Sequence, residues 1–489
     1  MVNKTRLVVL IVLLRCSATW AQDGHYWTQQ YGTKSMLLSG SVIAGVEDLG
    51  AVYYNPGRLA LIPNPAFLLS ASVYEYNQLI ADDAIGDKKS LSKSEIKGVP
   101  TLAAGTFKVK FLPNHFFAYA IMTRQLSDLS FAYKNEVNGD VFDTTALPGD
   151  EWFNGEVGFR NSGNEQWIGL TWSHALSKKV SVGVTTNLVN NNQTKGAGID
   201  LRALSFANAD TTVATYHYSR DYNYSELGLL WKAGLAASFD KWLLGLTIKT
   251  PMVRLSGSGN YNFEEYYSPM PGLRDTTDRY TASNQEGLEV KSRSPIAIGL
   301  GVTRMLGKNK LHISSEWYSG VSKYTLMQAQ THASQANPAS SVDFILTDEY
   351  KSVWNAGIGA EWYISQHISG FASFSTDFSS VGTDITRFVQ RQAESSNNAW
   401  AADFFHYGGG VVLNFTGADL TLGVTHTGAK QTIPRLISFP EAGSGGTIFD
   451  PNATSELKWD RWRFVFSFSF PFLADYAKKK MGSDDGQNK

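Results

Sequence analysis

Beyond residue 65, apolar and polar positions alternate with a period of two, the spacing that sends successive side chains to opposite faces of a strand. The last run is the clearest. Trp462, Phe464, Phe466, Phe468, Phe470 and Phe472 fall on one face, and Arg461, Arg463, Ser467 and Ser469 on the other. Trp242, Leu244, Leu246 and Ile248 likewise alternate with Gly245, Thr247 and Lys249, and in the segment before them Leu229, Trp231, Ala233, Leu235, Ala237 and Phe239 alternate with Lys232, Gly234 and Ser238. The second face repeatedly carries Gly, Ser, Thr, Asn, Lys or Glu.

A water-soluble sandwich also alternates, so the connections have to decide between the two. The pattern predicts about fourteen strands, near 66–78, 99–111, 116–135, 164–176, 179–190, 225–239, 242–258, 289–305, 310–326, 350–364, 367–380, 402–415, 419–430 and 458–472. The links between them are alternately short, as at 177–178 and 240–241, and long, as at 191–224 and 259–288. Short turns at one end, long loops at the other and both chain ends on the short-turn side describe a transmembrane antiparallel β-barrel. Lipid offers no hydrogen-bond partners, so such a sheet is expected to close. Trp172, Trp242, Trp317, Trp354, Trp362 and Trp462 lie near strand ends, as interfacial girdles do.

Composition narrows the function. The 489 residues carry a net charge of −1 and 13% aromatics, without the basic face that nucleic acid demands. Lys4 and Arg6 followed by the apolar run Leu7 to Leu14, with Ala21 at the cleavage point, predict a secretory leader over 1–21. Its apolar run is too short for a helical span, which needs ~20 apolar residues, and no later stretch reaches that length. Cys16 is the one cysteine and lies inside the leader, so the mature chain is expected to hold neither disulfides nor thiolate metal sites.

Residues 22–65 do not alternate, and they carry Gly32, Gly40, Gly45, Gly50 and Gly57 with the turn-forming pairs Asn55-Pro56 and Asn64-Pro65. Too polar to face lipid, the segment is expected inside the barrel as a luminal plug, ahead of a barrel over 66–472 and a tail over 473–489. Here the sequence resembles a known family. Asp48, Ala51, Tyr53, Tyr54, Asn55, Pro56 and Gly57 are similar to the aspartate, aromatic pair and Asn-Pro-Ala signature of the FadL/TodX outer-membrane transporters of hydrophobic compounds, with Gly57 where Ala is usual. The resemblance implies a 14-stranded barrel with an N-terminal hatch and periplasmic termini in a Gram-negative outer membrane. It also implies passive uptake of long-chain fatty acids or other hydrophobic molecules, with sideways exit at a kinked third strand. The implied partners are a hydrophobic small molecule, outer-membrane lipid and the barrel-assembly machinery, and no cofactor. Barrels similar to FadL also serve as shuttles for secreted proteins in Bacteroidetes, and a general porin is the other alternative.

Two features bear on the chemistry. On the third strand the outward row includes Thr123, Gln125 and Ser127, three consecutive polar positions near the expected bilayer middle. They imply an inward bend, an aqueous opening, or a β-bulge that switches the facing of the strand. The two-residue turn Asp240-Lys241 pairs Phe239 with Trp242 and therefore sets Lys232 opposite Lys249 in the lumen. Like charges so placed repel. They are tolerated if Glu47 or Asp48 reaches them, if they are solvated, or if they receive a substrate carboxylate. Arg461 and Arg463 also point inward. Nucleophile-elbow, zinc-helix and phosphate-loop motifs are missing, so the chain is not expected to be an enzyme.

Overall fold

The computed structural model describes residues 24–469 apart from 63–71, 108, 110, 113, 143–146, 148, 206–211, 269–278, 382–393, 398–400, 416–417, 436, 442–447, 449 and 451. The expected leader and the C-terminal tail lie outside the described residues. Among the described residues the chain is all-β apart from short helical turns in the N-terminal segment: α1 (Lys34–Leu37), α2 (Ala51–Tyr54) and a 3-10 helix over Pro56–Leu61.

The first strands are β1 (Ser72–Asp82), β2 (Leu91–Pro100) and β3 (Leu102–Phe107), followed by four long ones, β4 (His115–Gly139), β5 (Glu151–Ala175), β6 (Val180–Ser205) and β7 (Thr212–Phe239). Next come β8 (Trp242–Lys249), β9 (Val253–Tyr267), β10 (Arg279–Glu289), β11 (Ala297–Leu306) and β12 (Asn309–Tyr318). Loop strands β13 (Val321–Gln328), β14 (His332–Ala333), β15 (Ser341–Val342) and β16 (Ile345–Tyr350) follow. The chain then forms β17 (Val353–Ser365), β18 (Ile368–Asp377), the short β19 (Glu394–Ser396), β20 (Phe404–Phe415), β21 (Ala418–Pro434) and β22 (Thr454–Ser469).

One antiparallel sheet holds seventeen of these strands rather than the fourteen expected. Three expected strands are each broken in two. β2 and β3 are separated at Thr101, β8 and β9 by a stretch containing Pro251, and β10 and β11 by one containing Pro295. A proline has no N–H for the ladder, which explains the second and third breaks. Strands β4 to β7 outrun the alternation because runs such as Asn190 to Thr194 are polar on both faces. They read as loop, yet their backbones pair with β5 on one side and β7 on the other.

Neighbouring ladders follow the chain from β3 and β4 to β22, which pairs with β1, which pairs with β2. Among the described residues no ladder joins β2 to β4, so the hydrogen-bonded ring is interrupted there.

The outward rows are apolar and exposed, among them Leu244, Leu300, Ile313, Ile358 and Phe464. Surface of this kind is not left facing water. Trp354, 61% exposed, and Trp362, 45% exposed, bound it on β17. At ~3.3 Å per residue and ~40° tilt they stand about 20 Å apart, close to the height of a lipid-facing band. Besides a small cluster of Tyr26, Trp27, Ala297, Tyr318 and Val353, the inner face carries two larger cores. One joins the N-terminal segment to the wall through Met36, Leu37, Val52 and Trp167. The other lies toward the long loops, where Tyr218, Tyr222, Tyr261 and Phe344 pack with Phe153, Leu201 and Phe439. Tyr266 and Tyr267, expected in a loop, end β9.

Candidate functional site

Residues 24–62 are almost entirely buried, and their partners are spread around the sheet. The segment is braced from within by Asp48. Its carboxylate accepts from the backbone N–H of Thr33 (2.9 Å), Ser35 (3.1 Å) and Gly50 (2.9 Å), and from the Ser35 hydroxyl (2.9 Å). A carboxylate holding several N–H donors fixes a loop that has little regular structure of its own. Asp48 is thus committed to its own segment and does not reach Lys232 or Lys249, so that one of the alternatives left open for the two lysines is not realised. Glu47 pairs instead with Lys310 at 2.7 Å. Burial would raise the Glu47 carboxyl, but Lys310 outweighs this and holds it below the usual carboxylate range.

The Asn55-Pro56-Gly57 turn lies on the wall. The Asn55 amide donates to the carbonyls of Ile43 (2.9 Å) and Leu235 (3.1 Å), and its oxygen accepts from Gly57 N–H (3.0 Å). The Gly57 carbonyl accepts from the Ser173 and Ser181 hydroxyls. Contact is backbone to backbone: a methyl on Gly57 would meet the Gly234 carbonyl oxygen at 2.8 Å. Wall glycines 245, 301, 357 and 408 likewise make room for residues 37–44. Ala51 and Tyr53 belong to α2, and Tyr54 donates no space to solvent; its hydroxyl accepts from Tyr31 N–H at 3.0 Å.

Lys232 and Lys249 are a directly opposed ladder pair, as the turn predicts, and are 4% and 6% exposed. Lys232 lies 3.3 Å from Glu316 and over the Tyr53 ring, while Lys249 lies between the rings of Tyr26 and Tyr318. Glu316 also accepts from the indole N–H of Trp27 at 2.9 Å. Arg461 and Arg463 are buried too. Arg461 donates to the Thr28 carbonyl at 2.6 Å, and Arg463 to Glu75 at 2.8 Å and to the side-chain oxygens of Gln29 and Gln30. All four cations therefore face the N-terminal segment, directly or through Glu316.

The third expected strand is β4, and it carries a β-bulge at Arg124: Thr123 pairs with Gln166, and Gln125 with Glu165. One extra residue reverses the facing. Thr123 keeps the outward row of Tyr119 and Ile121, but Gln125 turns inward and accepts from Gln193 at 3.0 Å. The three polar positions are therefore not one continuous outward row. Ser127 pairs with Gly163, and its side chain lies outside the described residues. Gln193 continues to Asn191, and Asn191 to Glu226 on β7, which gives a polar chain between the two apolar cores.

Several anchors escaped the sequence. Arg124 itself is 5% exposed and donates to the carbonyls of His25 (3.3 Å) and Tyr26 (2.8 Å), while the Tyr31 hydroxyl donates to the Thr123 carbonyl (3.0 Å). Asp377, fully buried, accepts from Tyr26 N–H (2.9 Å), the Thr28 hydroxyl (2.8 Å) and the Asn355 amide (3.2 Å). The one available signal was an arginine continuing the small inward row Ala118, Ala120 and Met122. Between Trp27, Gln30, Tyr53, Lys232 and Glu316 a cavity remains with room for about one water molecule.

No family model and no curated protein matches the chain. Among solved structures, the deltaS2S3 mutant of the TodX monoaromatic hydrocarbon channel has 13% identity and a TM-score of 0.51 over 91% of this chain and 100% of that one. The TodX deltaS2 mutant gives 13% and 0.51 over 90% and 98%. A Pseudomonas aeruginosa FadL homologue has 11% identity and a TM-score of 0.48, covering 93% and 100%. With its N-terminal segment packed on the inner face of one large antiparallel sheet, the chain has the fold of the TodX channel.

Proposed function

We propose that the chain is an outer-membrane channel for passive uptake of hydrophobic small molecules, long-chain fatty acids among them, with residues 22–65 as its hatch. The observation that carries this reading is the seam between β2 and β4, beside the bulge at Arg124 and under an apolar exterior. An unpaired strand edge facing lipid is costly, and its backbone groups are tolerated where they border protein or a water-containing opening. An apolar solute leaving through it passes from lumen to hydrocarbon without crossing water. The fold shared with a hydrocarbon channel supports the same class of substrate.

Opening requires the segment around residues 25–31 to move, because Arg124 and Tyr31 tie it to the rim of the seam. Arg461, Arg463, Lys232 and Lys249 are the substrate contacts of this reading. Arg463 is already paired with Glu75, but the other acceptors of the two arginines are a neutral carbonyl and two amide oxygens, and a substrate carboxylate would compete with these as the better acceptor. A general porin would need a wide aqueous lumen where residues 24–62 are packed.

The test is a bridge across the seam. The Lys93 ammonium reaches the Ser130 hydroxyl at 2.8 Å, so Lys93→Cys with Ser130→Cys can be joined by a short bis-methanethiosulfonate, which forms a reducible disulfide with each cysteine and releases methanesulfinate. Uptake of labelled oleate and of toluene is expected to fall to the level of a null strain on bridging and to return on reduction. Unchanged uptake in the bridged protein removes the seam as the exit. Stable co-purification of a protein cargo with no uptake in any form would favour the shuttle reading.

A further inference from the structure

Five cations gather on one sector of the short-turn rim. Lys178 and Lys179 sit in the β5–β6 turn, Lys241 in the β7–β8 turn, and Arg304 and Lys308 at the β11–β12 hairpin. These hairpins are neighbours, since β6 pairs with β7 and β8 with β11. Among the described residues none of the five is ion-paired to a carboxylate, and Asp240 is the one acid in the three turns. Lys310, in the same hairpin, is satisfied by Glu47 and Glu361. The next turn along the rim, Gln366-His367, carries neither acid nor lysine.

The placement of two of these cations is not that of a solvated surface. Arg304 continues the outward row of Leu300 and Val302, its ladder partner is Trp242, and its guanidinium lies 4.3 Å from that ring. Lys308 lies 4.0 Å from the ring of Tyr363. Aromatic rings thus hold both charges at the border of the apolar band. Beyond them, Val302 faces Leu244, Leu300 faces Leu246 and Ile298 faces Ile248 in one continuous apolar slope. An anion with an apolar tail satisfies both halves of the patch; an anion without one gains nothing from the slope.

We propose that this sector is a binding site for an anionic phospholipid of the leaflet on the short-turn side. Its phosphate lies among Lys241, Arg304 and Lys308, and its acyl chains lie along Leu244, Leu300 and Val302. A guanidinium offers a phosphate two parallel donors, and the lysines add charge without geometric demand. The site rests on the reading of the chain as a membrane-spanning protein.

The test uses the full chain in mild detergent and then in nanodiscs, with equal phosphatidylglycerol and phosphatidylcholine, followed by native mass spectrometry of retained lipid. Phosphatidylglycerol is expected to be retained preferentially, and the preference to fall about tenfold in the triple variant Lys241→Gln, Arg304→Gln, Lys308→Gln. Lys430→Gln, at the opposite end of the strands, is expected to keep it, and heat-modifiable gel migration reports that each variant is folded. Equal retention of the two lipids, a preference kept by the folded triple variant, or displacement of lipid by equimolar glycerol phosphate would each overturn the site. Insertion without lipid preference overturns the site alone, whereas failure to insert overturns the membrane reading and the site with it.

Discussion

Lys232 and Lys249 face one another directly across the β7–β8 ladder, both buried, and share the company of Glu316 and three tyrosine rings. Their repulsion is met by the wall and by ring faces rather than by a carboxylate of the N-terminal segment. Glu316 is therefore the residue on which this buried charge cluster depends. Replacing one partner of a buried pair leaves the other uncompensated, so Glu316→Gln should destabilise the protein by about 3 kcal/mol in urea unfolding from detergent. Adding Lys232→Met should recover most of that loss. An unshifted midpoint in the single variant would show that the Lys232–Glu316 contact contributes little.

Gly57 and Gly234 touch through their backbones, and the constraint is space, because Gly57 has no positive φ. An alanine at residue 57 would push the 3-10 helix away from β7 and stretch the hydrogen bonds from Ser173 and Ser181. Gly57→Ala is expected to cost about 1–3 kcal/mol and to increase proteolysis within residues 50–62. Cleavage as slow as in the parent chain would mean that the wall gives way freely.

What could be read in advance follows the range of each interaction. The β7–β8 register was legible because a two-residue turn fixes every pair in the hairpin, Lys232 with Lys249 included. The facing of Trp462, Phe464 and Phe466 against Arg461 and Arg463 was legible for a similar reason, since period two leaves no alternative within one strand. The bulge at Arg124 was open to three readings, because a one-residue slip changes neither composition nor length. The partners of Asp48 were hidden for another reason. Its contacts to Thr33, Ser35 and Gly50 depend on how an irregular segment folds on itself, and no periodicity encodes that. The length of β4 to β7 was underestimated because polar strands outside an apolar environment lose the alternation that marks them.

Glu47 gives the segment an acid dependence. Its carboxyl is held below the ordinary range by Lys310, so its contribution to stability is complete above the unfolded value of ~4.3 and is lost as pH falls through the lower folded value. The side chain is 35% exposed, which limits the effect to under about 1 kcal/mol. In planar bilayers, titrating the short-turn side from pH 6 to about pH 3 should increase brief conducting events in the parent channel. Glu47→Gln should show the same event frequency throughout; a matching acid response in that variant would place the sensitive group elsewhere.

Deletion of Arg124 removes the bulge together with its guanidinium, and comparison with Arg124→Ala, which loses the guanidinium alone, isolates the bulge. Removing the one extra residue lets Thr123 run directly into Gln125 with no change of facing on either side, because Gln125 already points inward. The variant should fold, since each remaining ladder pair from Gln125 with Glu165 to Gly139 with Glu151 is preserved. It should lower uptake by straightening the strand beside the seam. Arg124→Ala keeps the bulge and removes only the guanidinium that holds the carbonyls of His25 and Tyr26, so it should act in the opposite direction and loosen the segment. Labelled oleate uptake, measured beside protease accessibility of residues 24–31, distinguishes the two. Equal uptake in the deletion and the parent would mean that the kink in β4 is not what makes the opening.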